Sequence, residues 1–149
     1  MDGVKALLIP FMLLLFVSGC SLGVTEGEEE KIEFEIVDAV TAIGKVGNDQ
    51  RLSYEFIIAN KGEAAVKEDS IEMVLSDWLK KRLLEETIVE KNFEQDRIVV
   101  KGFIMFKSND LPTPDVIQNE PLIKGIKFLT AKGTEVFVPY HSSKGVEER

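Results

Sequence analysis

Apolar and polar side chains alternate with a period of two along several short segments, and this pattern limits the chain to a largely β fold. It is clearest over residues 32–36, 52–58, 71–75 and 98–106. Successive side chains of a strand point to opposite faces, so such a segment buries one face and exposes the other. We predict strands at these four segments and at 87–89, 122–130 and 135–140.

The segments that connect these strands carry turn and loop residues. Asn-Lys-Gly-Glu at 60–63 and Ala-Lys-Gly-Thr at 131–134 are predicted tight turns, because Asn and Gly accept positive φ. We predict longer loops at 44–50, at the polar segment 90–97 and at the proline-containing segment 108–121.

Two further segments refine this arrangement. Over 37–43 the apolar pattern continues with a shifted phase, which indicates a bulge or bend in the first strand. Ala65 and Val66 are predicted to form a short edge piece.

The segment 76–86 is compatible with either a short helix or a strand. Ser76 or Asp77 would cap a helix over 78–86, and Leu79 and Leu83 would then both face the core. We favour the helical turn. With about seven strands and this one turn, we predict an all-β, antiparallel sandwich over 32–140 and a flexible tail over 141–149.

The first 20 residues have the layout of an export signal. Lys5 precedes an apolar run over 6–17, which is shorter than the roughly 20 residues that span a bilayer. Small residues follow the run and lead to Cys20, the only cysteine of the chain. A single cysteine also excludes an internal disulfide.

The tetrapeptide Val17-Ser18-Gly19-Cys20 resembles the bacterial lipobox, in which an aliphatic residue and two small residues precede a cysteine. The resemblance implies that 1–19 is a lipoprotein signal peptide, with Val17, Ser18 and Gly19 recognised by the signal peptidase. It also implies that the Cys20 thiol receives a diacylglyceryl group as a thioether. Each methylene buried in the bilayer contributes about 0.8 kcal/mol, so two or three acyl chains would anchor the chain.

Two other interpretations of the N-terminus remain open: an uncleaved membrane anchor, and an ordinary secretory signal with an incidental cysteine. In the lipoprotein interpretation, residues 20–31 form a lipidated, flexible tether. This segment contains glycines and a run of glutamates, a composition typical of a solvated linker.

The charge of the chain excludes some classes of partner. It has 149 residues with 18 Lys and Arg against 26 Asp and Glu, a formal net charge of -8. An acidic domain repels phosphate backbones and anionic head groups. We therefore predict no nucleic-acid binding, and a membrane contact that depends on lipid rather than on charge.

The sequence presents no assembled set of catalytic or metal-ligating residues. His141 is the only histidine, and neither a cysteine nor a second histidine lies near it, which disfavours a zinc site. We predict no cofactor, no metal and no enzymatic activity.

The candidate binding residues are Asn109, Asp110 and Asp115, which lie in the predicted loop 108–121. Loops on a rigid scaffold commonly carry recognition. Their oxygen atoms are also calcium ligands, although bonds to their own backbone are the commoner role of such residues in turns. Trp78 is either a half-buried core residue or a platform for a sugar, and we favour the first.

Two stretches together resemble a known class of domain. One is 54–63, a strand that ends in an Asn-x-Gly turn, and the other is 100–106 with the hairpin that ends at 135–138. They are similar to the immunoglobulin-like domains of small bacterial lipoproteins of unknown function. The resemblance implies a surface-exposed, non-catalytic domain and supplies no ligand.

We therefore expect a membrane-anchored lipoprotein with a non-catalytic binding or accessory domain on the extracytoplasmic face of the cell membrane. Its partners would be the membrane, through the lipid on Cys20, and another envelope protein. One alternative is an envelope hydrolase that acts on cell-wall glycans through two carboxylates roughly 5–9 Å apart. A second alternative is a spacer or stability factor for a neighbouring membrane complex.

Overall fold

The computed structural model describes residues 29–108, 111–112, 115–116, 118 and 121–141. Within them, seven antiparallel strands form two sheets. The strands are β1 (Phe34–Val46), β2 (Asp49–Asn60), β3 (Glu72–Leu75), β4 (Leu83–Phe93), β5 (Arg97–Phe106), β6 (Ile123–Leu129) and β7 (Glu135–Pro139). A 3₁₀ turn covers Glu68–Ser70, and the short helix α1 covers Asp77–Lys80. The prediction of an all-β, antiparallel, two-sheet fold is confirmed.

The four long strands form one sheet and the three short strands form the other. The orders are β1-β2-β5-β4 and β3-β6-β7. Val66 adds an isolated bridge to Thr130, which confirms the predicted short edge piece. Strands that are consecutive in the sequence are not always paired. After β2 the chain crosses to the short sheet to form β3, and it then returns to the long sheet to form β4.

The core lies between the sheets and is built from the alternating apolar residues of the sequence. Phe56, Ile104 and Ile126 are completely buried, and each such side chain contributes about 1.5–3 kcal/mol by leaving water. Other core residues of the strands follow the same alternation: Leu52, Tyr54, Ile58, Met73, Leu75, Ile98, Val100, Phe106, Phe128 and Val138.

The first hairpin differs from its prediction. We expected a loop over 44–50, but β1 continues to Val46 and β2 begins at Asp49. Only Gly47 and Asn48 remain as the turn, and the φ of +63° at Gly47 provides the reversal in so few residues. The bulge predicted after residue 36 is confirmed, because the register with β2 shifts between Ile36 and Asp38.

Strand β4 is longer than predicted at both ends. The helix starts where expected, with the Ser76 hydroxyl accepting the Leu79 N–H at 3.2 Å, but it ends at Lys80. Residues 83–86 and 90–93, predicted as helix and loop, belong to β4. Leu79 is buried as predicted, whereas Leu83 is 39% exposed on the edge strand. Pairing with β5 along its whole length overrides the local preference of this segment.

Candidate functional site

The residues that carry the predicted anchor lie outside the described part of the chain. They are Val17, Ser18, Gly19 and Cys20, and the predicted signal peptide and most of the tether lie there with them. Among the described residues, no helix has the length and apolar character required to cross a membrane.

The described chain begins beside the turn at 60–63. The Glu63 N–H donates to the Lys31 carbonyl at 3.1 Å, and the Lys61 N–H donates to the Glu33 carbonyl at 2.8 Å. The Lys61 ammonium also pairs with the Glu35 carboxylate, which raises the pKa of Lys61 through that hydrogen bond and the charge of Glu35. We call this end of the sandwich, residues 31–33 and 60–63, the tether end.

The described residues of the predicted loop 108–121 begin at the other end of the long sheet. Gln50, beside the first hairpin, pairs in register with Phe106, the last residue of β5, and donates from Nε2 to the Leu111 carbonyl at 2.9 Å. We call this end, residues 46–50, 106–108 and 111–112, the loop end. β2 runs from one end to the other, and its twelve residues span about 36 Å at the usual rise per residue.

The predicted binding residues are described only in part. Asn109 and Asp110 lie outside the described residues. Asp115 is exposed in a helical turn, and its N–H donates to the Pro112 carbonyl at 3.0 Å. The next residue, Val116, is completely buried in the core. The described residues of this segment therefore contribute Val116 to the core, and Asp115 lies on the outer side.

Gln50 is the residue of this region that the sequence analysis missed. Its side chain is completely buried, and its Oε1 atom has no hydrogen-bond partner. A buried amide that binds a loop carbonyl fixes the position of that loop. The signal was present in the sequence, because Gln50 has the same parity as Leu52, Tyr54 and Phe56 and so extends the buried face of β2 by one polar residue.

Trp78 braces the same end of the molecule. Its ring meets that of Phe106 edge-on at 5.9 Å, and the Arg82 guanidinium lies 4.1 Å above its face. The guanidinium also donates to the Trp78 carbonyl at 3.0 Å. The half-buried core role predicted for Trp78 is confirmed, and the face required for sugar stacking is covered by Arg82.

A cleft of about 380 Å³ on the outer face of the short sheet contains several acidic residues. Glu72 pairs with Lys127 at 3.2 Å, and Glu135 and Asp69 lie at the rim. The hydrogen bond and charge of Glu72, with the charge of Glu135, raise the pKa of Lys127. The described residues contain no group of three or more His, Cys, Asp or Glu that could hold a metal ion.

Two titratable side chains, Glu86 of β4 and Tyr54 of β2, have raised pKa values, and the charge of Glu86 acts on Tyr54. Partial burial raises the pKa of the Glu86 carboxyl, and the negative charge of Glu72 raises it further. The hydrogen bond that the carboxylate accepts from the Met73 N–H lowers the pKa and so opposes both effects. Burial, reinforced by the charge of Glu86, raises the pKa of Tyr54 above its ordinary range. The Tyr54 hydroxyl is buried and has no hydrogen-bond partner.

Gly102 gives the Tyr54 side chain its path towards β4. Tyr54, Gly102 and Ile88 are in register across β2, β5 and β4. A Cβ atom on Gly102 would collide with the Thr87 carbonyl oxygen and the Tyr54 hydroxyl. Gly102 therefore marks a close approach between neighbouring strands.

Comparison with known proteins assigns no family to this chain. No family model, curated protein or solved structure matches it significantly.

Proposed function

We propose that this protein is a bacterial lipoprotein whose sandwich domain is a non-catalytic binding or accessory module of the cell envelope. The observation that carries the proposal is Val17-Ser18-Gly19-Cys20, placed directly after a short apolar run. The acidic charge of the chain supports a lipid rather than an electrostatic attachment.

The strand order supports the finer classification as an immunoglobulin-like domain. Constant-type immunoglobulin domains pair their strands as ABED and CFG. Lettering β1 to β7 as A to G turns the two observed orders into these two sheets. The chain departs from antibody domains in having one cysteine, and in placing Trp78 in α1 rather than in the third strand.

The positions of the two ends support a working surface that faces away from the membrane. The tether would join the domain at the tether end, and the loop end, with Leu111, lies about 36 Å away along β2. Gln50 and the buried Val116 hold that segment on the core. A braced loop loses less conformational entropy on binding than a free one. The proposed partner is another envelope protein that contacts the loop end.

The experiment for the anchor is fractionation of cells that produce the full chain with Cys20→Ala. The wild-type chain and a Ser21→Ala control should pellet with membranes, and the Cys20→Ala chain should leave the membrane fraction or accumulate unprocessed. Equal membrane partitioning of all three chains would contradict the proposed anchor.

The experiment for the binding surface compares variants of the two ends by cross-linking in intact cells. Asn109→Ala with Asp110→Ala should abolish the cross-linked species that contains another envelope protein, and Glu63→Ala at the tether end is the matched control. Loss with Glu63→Ala, or persistence with the loop variant, would contradict a working surface at the loop end.

The second candidate function, an envelope hydrolase, is favoured by one observation. Glu86 has a raised pKa and lies near Glu72, and a glycosidase uses one protonated and one ionised carboxyl group. This candidate predicts that Glu86→Gln and Glu72→Gln each abolish release of soluble fragments from cell-wall glycan. A wild-type chain that releases no fragments would eliminate it.

A further inference from the structure

The outer edge of β1 has unpaired backbone groups. β1 is an edge strand of the long sheet and pairs continuously with β2 from Asp38 to Val46. The Ala39 N–H donates to the Asp38 carboxylate at 2.8 Å and so points away from β2. Because alternate residues of a strand point the same way, the backbone groups of Thr41, Ile43 and Lys45 also point outwards.

These outward groups are unpaired among the described residues. Apart from the ladder with β2, residues 40–46 make no backbone hydrogen bond there. Unpaired N–H and C=O groups along an extended edge are a template for another strand.

The opposite edge of the same sheet, formed by β4, is protected against pairing with another strand, whereas the edge formed by β1 is not. The register of β4 is interrupted twice, between Leu83 and Glu85 and between Ile88 and Glu90. Glu86, an exposed residue in register with the buried Ile104, turns its carboxylate towards the other sheet, where it accepts the Met73 N–H. Bulges and inward charges are the usual devices that prevent edge pairing.

The exposed side chains of β1 add an apolar surface to its free backbone. Val40 is 60% exposed and Val46 is 49% exposed. Val40 pairs with Glu55 of β2, and Val46 pairs with Asp49. The two valines are six residues apart in an uninterrupted register, so both lie on the same face of the sheet. The stretch 38–46 contains no proline, and its only charges are Asp38 and Lys45.

We propose that β1 pairs antiparallel with β1 of a second copy of this chain, about a two-fold axis at Ile43. Ile43 then faces its own copy and Thr41 faces the partner's Lys45. Thr41, Ile43 and Lys45 are the three residues whose outward backbone groups are unpaired. In this register they form about six backbone hydrogen bonds with the same residues of the second copy. Pairing centred on Thr41 or Ala42 instead requires the Ala39 N–H, which the Asp38 carboxylate already occupies.

The same register pairs the exposed valines. Val40 lies opposite the partner's Val46, and Ala42 lies opposite the partner's Gly44, on the outer face of an eight-stranded sheet. No like charges lie directly opposite each other, because the residue facing Lys45 is the partner's Thr41. The self-complementary pattern is the reason to choose a second copy over an unrelated peptide.

Cysteine cross-linking of the full chain in detergent tests the register. Two differently tagged chains, one with Val40→Cys and one with Val46→Cys, are mixed and oxidised. Facing residues of a non-hydrogen-bonded pair lie about 4.5 Å apart at Cα, within reach of a disulfide. We expect a heterodimeric disulfide several-fold more abundant than with Val89→Cys, a 66% exposed position on β4, in place of Val46→Cys. The wild-type chain corrects for Cys20.

A charge-reversal pair tests the interface without cysteine. Val40→Lys with Val46→Lys places like charges opposite each other twice, whereas Val40→Lys with Val46→Glu places opposite charges there. Both variants change only exposed side chains, so both should fold. By sedimentation we expect the dimer dissociation constant of the first to exceed that of the second about tenfold.

Three results would overturn the proposal. They are a wild-type chain that stays monomeric at high concentration, cross-linking no greater than with Val89→Cys, and equal dissociation constants for the two charge variants. An edge that pairs only with an added unrelated peptide would overturn it as well.

Discussion

At the residue scale, Tyr54 illustrates a buried polar group that weakens the domain. Its hydroxyl is enclosed between β5 and β4 without a hydrogen-bond partner. Burying such a group costs about 1–3 kcal/mol, because its bonds to water are lost and not replaced. The ring itself packs on Phe56 with centroids 5.6 Å apart and contributes to the core.

We predict that Tyr54→Phe raises the free energy of unfolding by about 0.5–2 kcal/mol, since it keeps the ring and removes the unpaired hydroxyl. Urea unfolding followed by circular dichroism measures the change. Phe56→Tyr is the opposite control and should destabilise, because it adds a hydroxyl to a completely buried side chain. A loss of stability in Tyr54→Phe would mean that the hydroxyl is bonded.

The Glu86 carboxyl predicts a pH dependence of stability. Its pKa in the folded chain is raised, so the folded state binds this proton more tightly than the unfolded state. Stability therefore falls as pH rises from the ordinary glutamate pKa of about 4.3 through the raised value, and the full penalty is present above it. The charge of Glu72 adds to the rise in the Glu86 pKa, and the hydrogen bond from the Met73 N–H opposes it.

We predict that Glu86→Gln, which stays neutral and still accepts the Met73 N–H, is more stable than wild type at neutral pH. The difference should disappear below about pH 4, where Glu86 is protonated in both states. Thermal unfolding of both chains from pH 4 to pH 8 provides the comparison, with the exposed Glu85→Gln as control. A constant difference across this range would contradict the assignment.

At the element scale, α1 is a four-residue helix that depends on its cap. The Ser76 side chain accepts the Leu79 N–H, and Leu79 is completely buried beneath it. A helix this short has little intrinsic stability, so the cap and the buried leucine hold it in place.

We predict that Ser76→Ala lowers the free energy of unfolding by about 1 kcal/mol, and that Ser76→Asp, which preserves the cap, loses much less. Chemical denaturation of the three chains measures both differences. Equal losses would show that the small size of Ser76, which is buried, matters more than its hydroxyl.

The strands show which secondary structure can be predicted from the sequence and which cannot. Alternation predicted β2, β3, β5, β6 and β7, because one face of each is buried and the other is solvated. It failed for β4, whose residues 83–86 and 90–93 are mostly exposed and so carry no alternating pattern. That strand is determined by long-range pairing with β5, which a local pattern does not contain.

In the candidate site, too, the loop could be predicted from the sequence, but the contact that holds it could not. Prolines and polar residues predicted the loop over 108–121, since such residues oppose strand and helix formation. The bond from Gln50 that holds this loop joins residues 61 positions apart. Its bonding partner follows from the packing of the whole domain, so the sequence pattern indicated at most that Gln50 was buried.

At the scale of the whole molecule, the arrangement separates attachment from recognition. The described chain joins the sandwich at the tether end, and the braced loop lies at the far end of the long sheet. Neither the proposed partner surface nor the proposed β1 pairing uses residues of the tether end. The proposed anchor is therefore separate from the loop surface and from the edge for a second copy, and these last two share Val46.

The lipid anchor on Cys20 determines where this protein works, and the intact mass of the wild-type chain extracted from bacterial membranes tests it. We expect a mature chain that begins at Cys20 and carries the added mass of a diacylglyceryl thioether, with fragmentation placing that mass on the first residue. A chain that begins at Met1, or at another residue without lipid on Cys20, would contradict it.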